Sequence, residues 1–312
     1  MISTTTTTTT NTSSSELVAA IDNIKLLDFA SGPLRARLYL PGIKHKDLVL
    51  GYIGNLSASS HCTAEERIAF LVAAKDRLFA LGAQKVIGPI NGDTWHRYRL
   101  PLTDESQLTF LEPSYPHFIA SDFMAAGLSV TATYHSSVIE DLRGALLQAK
   151  KQPAVEVASD LKIRNLDLSD FDNEMELLHR FSHDAFKTNY LYSDIDLPSF
   201  NALYQPLKGM LKEDLVLIAE SSDSKEIFGV VLAVPDAKNK SMIIVKTLAR
   251  STFAPRGTGR FLFHTVLERA QALGYNSALC ALIKDNNFSA FLPEALGGIV
   301  QNKFALFACT KE

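Results

Sequence analysis

The chain has 312 residues, 46% hydrophobic and 21% charged, with a formal net charge of −3. That is about twice the length of a common domain, so two domains with buried cores are expected; the slight acidity gives no basic footprint for nucleic acid, and no apolar run approaches the roughly 20 residues that span a membrane. Cys62, Cys280 and Cys309 form no CxxC pair and read as reduced thiols of a cytoplasmic protein.

Residues 1–15, rich in threonine and serine, lack the basic start and apolar centre of a secretion signal, so a disordered tail over 1–19 is expected. A first domain is then read over 20–145. Residues 47–55 read as a strand, and Thr63 with Glu66 forms a capping box that opens a helix running to Leu81-Gly82, with Ile68, Leu71, Val72, Lys75, Leu78 and Phe79 on one side. Lys85-Val86-Ile87-Gly88-Pro89 follows as a strand, residues 115–128 as a helix and residues 130–134 as another strand. Between them, Asn91-Gly92-Asp93-Thr94-Trp95-His96-Arg97-Tyr98-Arg99 has two readings. It lines an acceptor pocket between domains, or it starts a capped helix whose aromatics anchor the N-terminal core. Lys150-Lys151-Gln152-Pro153 marks a linker over 146–160, and a second domain occupies 161–312.

In that second half, residues 161–166 read as a strand, 170–186 as a helix, and 215–220 with 227–234 as a hairpin across Ser221-Ser222-Asp223-Ser224. Residues 242–249 are a buried strand. Two glycines in Ala254-Pro255-Arg256-Gly257-Thr258-Gly259-Arg260 separate it from a helix that carries Leu262, Val266, Arg269 and Leu273 on one face and stops at Gly274. Amides without intrahelical partners and the positive end of the helix dipole point into that turn, so a pyrophosphate can sit against bare N–H groups. A Walker-type loop is excluded because no Lys-Ser/Thr pair follows Gly257, and a dinucleotide turn because Phe261-Leu262 stands where a third glycine belongs.

Residues 254–259 fill the register of the pattern [Q/R]-x-x-G-x-[G/A] and match it at Gly257 and Gly259, and with the helix ending Ala272-Leu273-Gly274 the stretch resembles the acetyl-coenzyme A loop of the GCN5-related N-acetyltransferase (GNAT) superfamily. The resemblance covers roughly 161–312, where Asn286-Asn287-Phe288-Ser289 and the closing run 299–309 also look family-like. It implies an α/β fold with a mixed sheet, acetyl-CoA or another acyl-CoA as co-substrate with no metal, and transfer of the acyl group to a primary amine of a small molecule or protein. It further implies that Arg256, Gly257, Thr258, Gly259 and Arg260 hold the pyrophosphate, that Leu248 and Ala249 offer strand-edge contacts to the pantetheine arm, and that Asn286 touches the cofactor. Residues 20–145 repeat the order of elements, so the chain resembles a tandem of two such domains. In the first, Ser57-Ala58-Ser59-Ser60-His61-Cys62-Thr63 replaces the glycine turn and would crowd a pyrophosphate.

Three departures bear on chemistry. Ala254 replaces the usual Gln or Arg, and Pro255 removes one amide donor, which Arg256 partly offsets. Pro293 falls where the family often has a tyrosine that protonates the leaving thiolate. No carboxylate occurs in residues 242–250, although an amine must be neutral to attack a thioester and needs a base. Tyr190 and Tyr192, with Asp194 and Asp196, stand in the acceptor-side loop as candidates; the plain alternative is a polar loop with aromatic anchors. A non-catalytic acyl-CoA-binding or protein-interaction module also fits these departures. Transfer from aminoacyl-tRNA, known for tandem folds of this kind, is disfavoured by the acidic balance and the intact glycine turn. His179 and His183 stand at i,i+4 spacing without a third ligand, His264 is a helix-surface residue, and Cys280 and Cys309 are buried structural thiols.

Overall fold

The structure, a computed structural model, describes residues 17–21, 24–40, 44–45, 47–151 and 158–311. Residues 1–16 of the expected tail over 1–19 and residues 152–157 of the expected linker lie outside the described residues, whereas residues 17–19 of that tail belong to the strand Leu17–Ile21. The fold is mixed α/β and forms two compact units, one of Met1–Gly92, Tyr115–Val130 and Leu306–Glu312, the other of Asp93–Ser114 and Thr131–Ala305.

In the first unit the strands run in the order Leu17–Ile21, Ile24–Ser31, Leu34–Leu40, Leu48–Ser57, Lys85–Gly88 and the end of Ile299–Thr310. Leu48–Ser57 and Lys85–Gly88 pair in parallel, which requires a crossover. The helix Ala64–Ala80 supplies it and buries Phe70, Leu71, Ala74 and Leu78. Its capping box forms as expected: the Glu66 N–H donates to Thr63 Oγ1 (3.2 Å) and the Thr63 N–H donates to the Glu66 carboxylate (2.8 Å).

The second unit carries the order Ser129–Ile139 (from Thr131), Ser277–Lys284, Met242–Arg250, Ile227–Pro235, Val216–Ser221, Leu161–Asn165. Its central strands are continuous apolar runs because helices cover both faces of the sheet. Leu217, Val231 and Ile243 point to the face where the helix Thr258–Ala272 buries Leu262, Val266 and Leu267. Their neighbours Ile218, Val230 and Ile244 point to the other face, against Met175, Leu178 and Phe181 of the helix Phe171–Phe186.

The helix start expected within 91–99 does not form; the segment is a series of bends. The Asp93 carboxylate accepts the N–H groups of Trp95 (2.8 Å) and His96 (3.0 Å), which closes a tight turn in place of a helix cap. Trp95 does not anchor an N-terminal core: its ring meets Phe186, Tyr192 and Phe200 edge-on and its Nε1–H donates to the Ser193 carbonyl at 2.8 Å, all within the second unit. Part of the expected linker is helix, Leu142–Ala149, capped by the Asp141 side chain on the Gly144 N–H.

Candidate acyl-coenzyme A and acceptor site

The turn after Met242–Arg250 is held by a few short-range bonds. The Ser251 N–H donates to the Phe228 carbonyl (2.9 Å), and Thr258, fully buried, donates from Oγ1 to the Pro255 carbonyl (2.8 Å). Gly257 caps the helix at φ 91°, a left-handed conformation that glycine adopts without steric cost. Gly229 lets the first turn of the helix sit against the sheet, since a Cβ there would lie 2.8 Å from Leu262 Cδ1 and 2.9 Å from the Ala249 carbonyl. The amides of Arg256, Gly257 and Gly259 meet no acceptor among the described residues, while a Cβ on Gly259 would find only Arg250 Cδ, at 4.0 Å. Bare N–H groups, a helix of 15 residues behind them and the side chains of Arg250, Arg256 and Arg260 nearby are groups that could hold a diphosphate. Burial and the Arg260 charge hold the His264 imidazole below its ordinary pKa, against the pull of Glu268. Ala254, a departure from the family pattern, is partly buried against the core, so it serves packing.

The strand that feeds this turn parts from its parallel neighbour midway. Met242–Arg250 and Ser277–Lys284 pair from Met242 with Ser277 to Val245 with Cys280 and no further. Beyond that point Ser277–Lys284 shifts register and pairs with Ser129–Ile139 at Ile283 and Lys284, with Leu282 at φ 59° between. On the other side, Leu232 pairs Thr247 and Ala233 pairs Val245, so Lys246 is the extra residue of a β-bulge. The Ala249 carbonyl faces the strand Ile227–Pro235, as its approach to Gly229 shows; alternation along the strand then turns the amide and carbonyl of Leu248 to the opened edge.

The opened strands border a cavity of about 1130 Å³ within the second unit. It brings together four of the expected site residues, Tyr190, Tyr192, Leu248 and Asn286. Ala249 is buried in the strand beside it, and Arg256, Gly257, Thr258, Gly259 and Arg260 form the turn and helix start beyond that strand's far end, outside the lining. The Tyr190 hydroxyl meets Thr131 Oγ1 at 3.2 Å, and Lys284 Nζ stands 5.4 Å from its ring centre. Burial, reinforced by the Asp194 carboxylate, drives the Tyr192 hydroxyl pKa upward, and that oxygen has no partner with hydrogen-bond geometry. Asn286 adopts φ 64°, a conformation asparagine tolerates. Pro293 lines the same cavity and brings no proton. Cys280, at the parting point, has its thiol pKa pushed up to about 12 by burial and stays protonated; burial also raises that of Cys309.

Two carboxylates line the cavity, Glu112 and Asp285, and neither was singled out in the sequence. Asp285 Oδ1 meets His135 Nδ1 at 2.5 Å; burial pushes its carboxyl up, but bonds from Thr133 and His135 hold it below the usual range. Glu112 is held through one oxygen only: Oε2 accepts the Thr109 N–H (2.8 Å), Thr109 Oγ1–H (3.2 Å) and Asn302 Nδ2–H (2.9 Å). Elsewhere in the second unit, His179 and His183 face each other at 3.1 Å and both reach the Ile195 carbonyl. Among the described residues no three His, Cys, Asp or Glu side chains gather around one point, and no helix is long and apolar enough to cross a membrane.

The first unit repeats the order and sense of strands but not the site. Past the parallel pair Tyr52–Ile87, the Ile90 N–H donates to the Ile53 carbonyl (2.9 Å) and the Asn55 N–H to Asn91 Oδ1 (2.7 Å), so the strands stay together. Its helix start is occupied by its own Thr63 and Glu66 side chains, with Glu65 beside them.

No family model matches the sequence, and no curated protein matches it. Solved structures are similar in fold. A GCN5-related N-acetyltransferase from Sphaerobacter thermophilus superposes with TM-score 0.54 at 12% identity, over 92% of this chain and 80% of its own. A tandem GNAT protein from the clavulanic acid biosynthesis pathway, solved without acetyl-CoA, gives TM-score 0.52 at 12% identity over 92% and 82%. A conserved protein of unknown function from Enterococcus faecalis V583, described as a probable N-acyltransferase, gives 0.55 at 9% identity over 92% and 62%. Sequence motif, strand order and these superpositions agree: the chain has the fold of the GCN5-related N-acetyltransferases.

Proposed function

We propose that the chain is an acyl-CoA-dependent N-acyltransferase, with acetyl-CoA as donor, that acylates a primary amine by direct attack in its second unit. The carrying observation is the parting of Met242–Arg250 from Ser277–Lys284 after Val245 and Cys280, which leaves a strand edge open to a 1130 Å³ cavity at one end and a turn of bare amides at the other. An extended pantetheine arm pairs with such an edge as an added strand would, its diphosphate meets the amides of Arg256, Gly257 and Gly259, and its thioester reaches the cavity. The acceptor enters among Trp95, Tyr190, Tyr192 and Tyr204. The protonated, buried Cys280 disfavours an acyl-cysteine route. The first unit, with its strands closed and its helix self-capped, is the degenerate copy of the tandem.

The test is release of free thiol from acetyl-CoA across a panel of primary amines, including small amines and peptides with a free amino terminus. Turnover above the uncatalysed rate supports the assignment. Tight acetyl-CoA binding with no turnover on any amine favours the binding-module reading, which Pro293 at the place of a proton-donating tyrosine recommends.

A further inference from the structure

We propose that the acceptor is a free amino acid and that Lys246 selects it by its α-carboxylate, an inference that rests on the cavity being the acyl-transfer site. Four cationic side chains line that cavity, Arg97, Arg99, Lys246 and Lys284, against two acidic ones, Glu112 and Asp285. Neither carboxylate is left over for a cationic acceptor. Glu112 gives Oε2 to Thr109 and Asn302 and keeps Oε1 buried, while His135 and Thr133 engage Asp285. Arg99 lies against the rings of Tyr98 and Tyr134, 3.8 and 4.1 Å from their centres, and donates to the Leu282 carbonyl (3.2 Å); Arg97 donates to the Ser114 carbonyl (3.4 Å). Lys246 and Lys284 differ from both. Among the described residues they meet no carboxylate and no hydrogen-bond acceptor, and each holds its ammonium over a tyrosine ring, Tyr204 at 5.2 Å and Tyr190 at 5.4 Å. A wall of this kind repels a polyamine or a basic peptide and attracts an anion, although the chain as a whole carries a formal net charge of −3.

The place of Lys246 says where the anion sits on the acceptor. Lys246 is the bulge residue directly after the last parallel pair, Val245 with Cys280, so it stands at the parting point that the thioester reaches. Its ammonium lies by Tyr204, on the face of the sheet covered by the helices Phe171–Phe186 and Leu197–Tyr204. An anion held there is only a few bonds from the attacking nitrogen. An α-amino acid meets that demand, because its amine and carboxylate share one carbon, and the rings of Trp95, Tyr192 and Tyr204 offer apolar surface to its side chain. Pairing in a half-buried wall strengthens the contact over its worth in water. In the transfer the neutral α-amine forms the N–C bond to the thioester carbon and the electron pair of the broken C–S bond leaves on sulfur. The nitrogen gives its proton to solvent and the thiolate takes one from it, so the products are an N-acyl amino acid and free coenzyme A. Lys246 keeps its protons throughout.

The experiment uses the full chain with acetyl-CoA and reads thiol release with free amino acids, each beside the amine that lacks its carboxylate, such as phenylalanine with phenethylamine and alanine with ethylamine. Spermidine, O-phosphoethanolamine and hydroxylamine complete the panel. The best amino acid is expected to exceed its decarboxylated partner by about 10-fold or more in kcat/KM. Lys246→Gln is expected to bring that ratio to within about threefold of one, through a higher KM for the amino acid, and Lys246→Glu to invert it, with acetyl-CoA Kd and Tm as in the wild type. A merely structural role for Lys246 would lower both members of a pair alike. Preference for spermidine, O-phosphoethanolamine or the decarboxylated amines, or turnover of hydroxylamine alone, overturns the acceptor class and leaves the transferase reading standing. A preference for amino acids that both Lys246 variants retain overturns the role of Lys246. Wild-type protein that binds no acetyl-CoA, or binds it and releases no thiol with any nucleophile, overturns the transferase reading as well.

Discussion

Gly257 and Gly259 carry the same motif but differ in what a side chain would cost. Gly257 holds φ 91°, so any replacement strains the backbone, whereas Gly259 has open space where its Cβ would go. Gly259→Val is therefore the clean probe: Tm is expected to stay put while coenzyme A affinity falls by about 2 kcal/mol, roughly 30-fold, as the isopropyl group covers the amides. Calorimetry on the folded variant reads this directly, and unchanged affinity would remove the turn from the site. His264, one turn along the helix, offers a charge-sensitive reporter. Its pKa is lowered by burial and by Arg260. A bound diphosphate adds negative charge near that helix start and favours the imidazolium, so coenzyme A is expected to move the His264 titration to higher pH, as followed by NMR. No upward movement on saturation would place the diphosphate elsewhere. The glycine turn was legible in the sequence because all its parts are local. Glu112 and Asp285, the carboxylates that line the cavity, were not, since what brings them there is distant in the chain: Glu112 is held by Asn302, 190 residues later.

At the scale of elements, the helices and central strands were readable from period and caps. The capping box at Thr63 and Glu66, the strand over 242–249 and the helix from Thr258 follow rules that act within a few residues. The bulge at Lys246 and the parting after Val245 are properties of pairing between strands, which no single strand announces. The segment 91–99 misled for a related reason: Asp93 can cap a helix or close a turn, and Trp95 finds its partners on Phe186, Tyr192 and Phe200, about a hundred residues away. The open edge makes its own prediction. In hydrogen-exchange mass spectrometry, coenzyme A is expected to slow exchange in peptides covering 246–250 and 256–262 and to leave 48–63 unchanged. Protection confined to the first unit would contradict the placement of the arm.

For the whole molecule, the two units share an order of strands and diverge where the cofactor would bind. The first keeps its parallel strands joined through Ile90 and Asn91 and fills its helix start with Glu65 and Glu66, whose charge repels an anion. The shared order of strands was legible in the sequence as a repeated order of elements. The division of the chain was less so, because Leu306–Glu312 joins the first unit and Asp93–Ser114 the second, and such exchanges leave no local mark. The most direct test of the central claim is a calorimetric titration of the full chain with acetyl-CoA, run on wild type and Gly259→Val side by side. One site per chain in the wild type, lost or weakened about 30-fold in the variant, is the predicted result; no binding, two equivalent sites, or one site indifferent to Gly259→Val would contradict it.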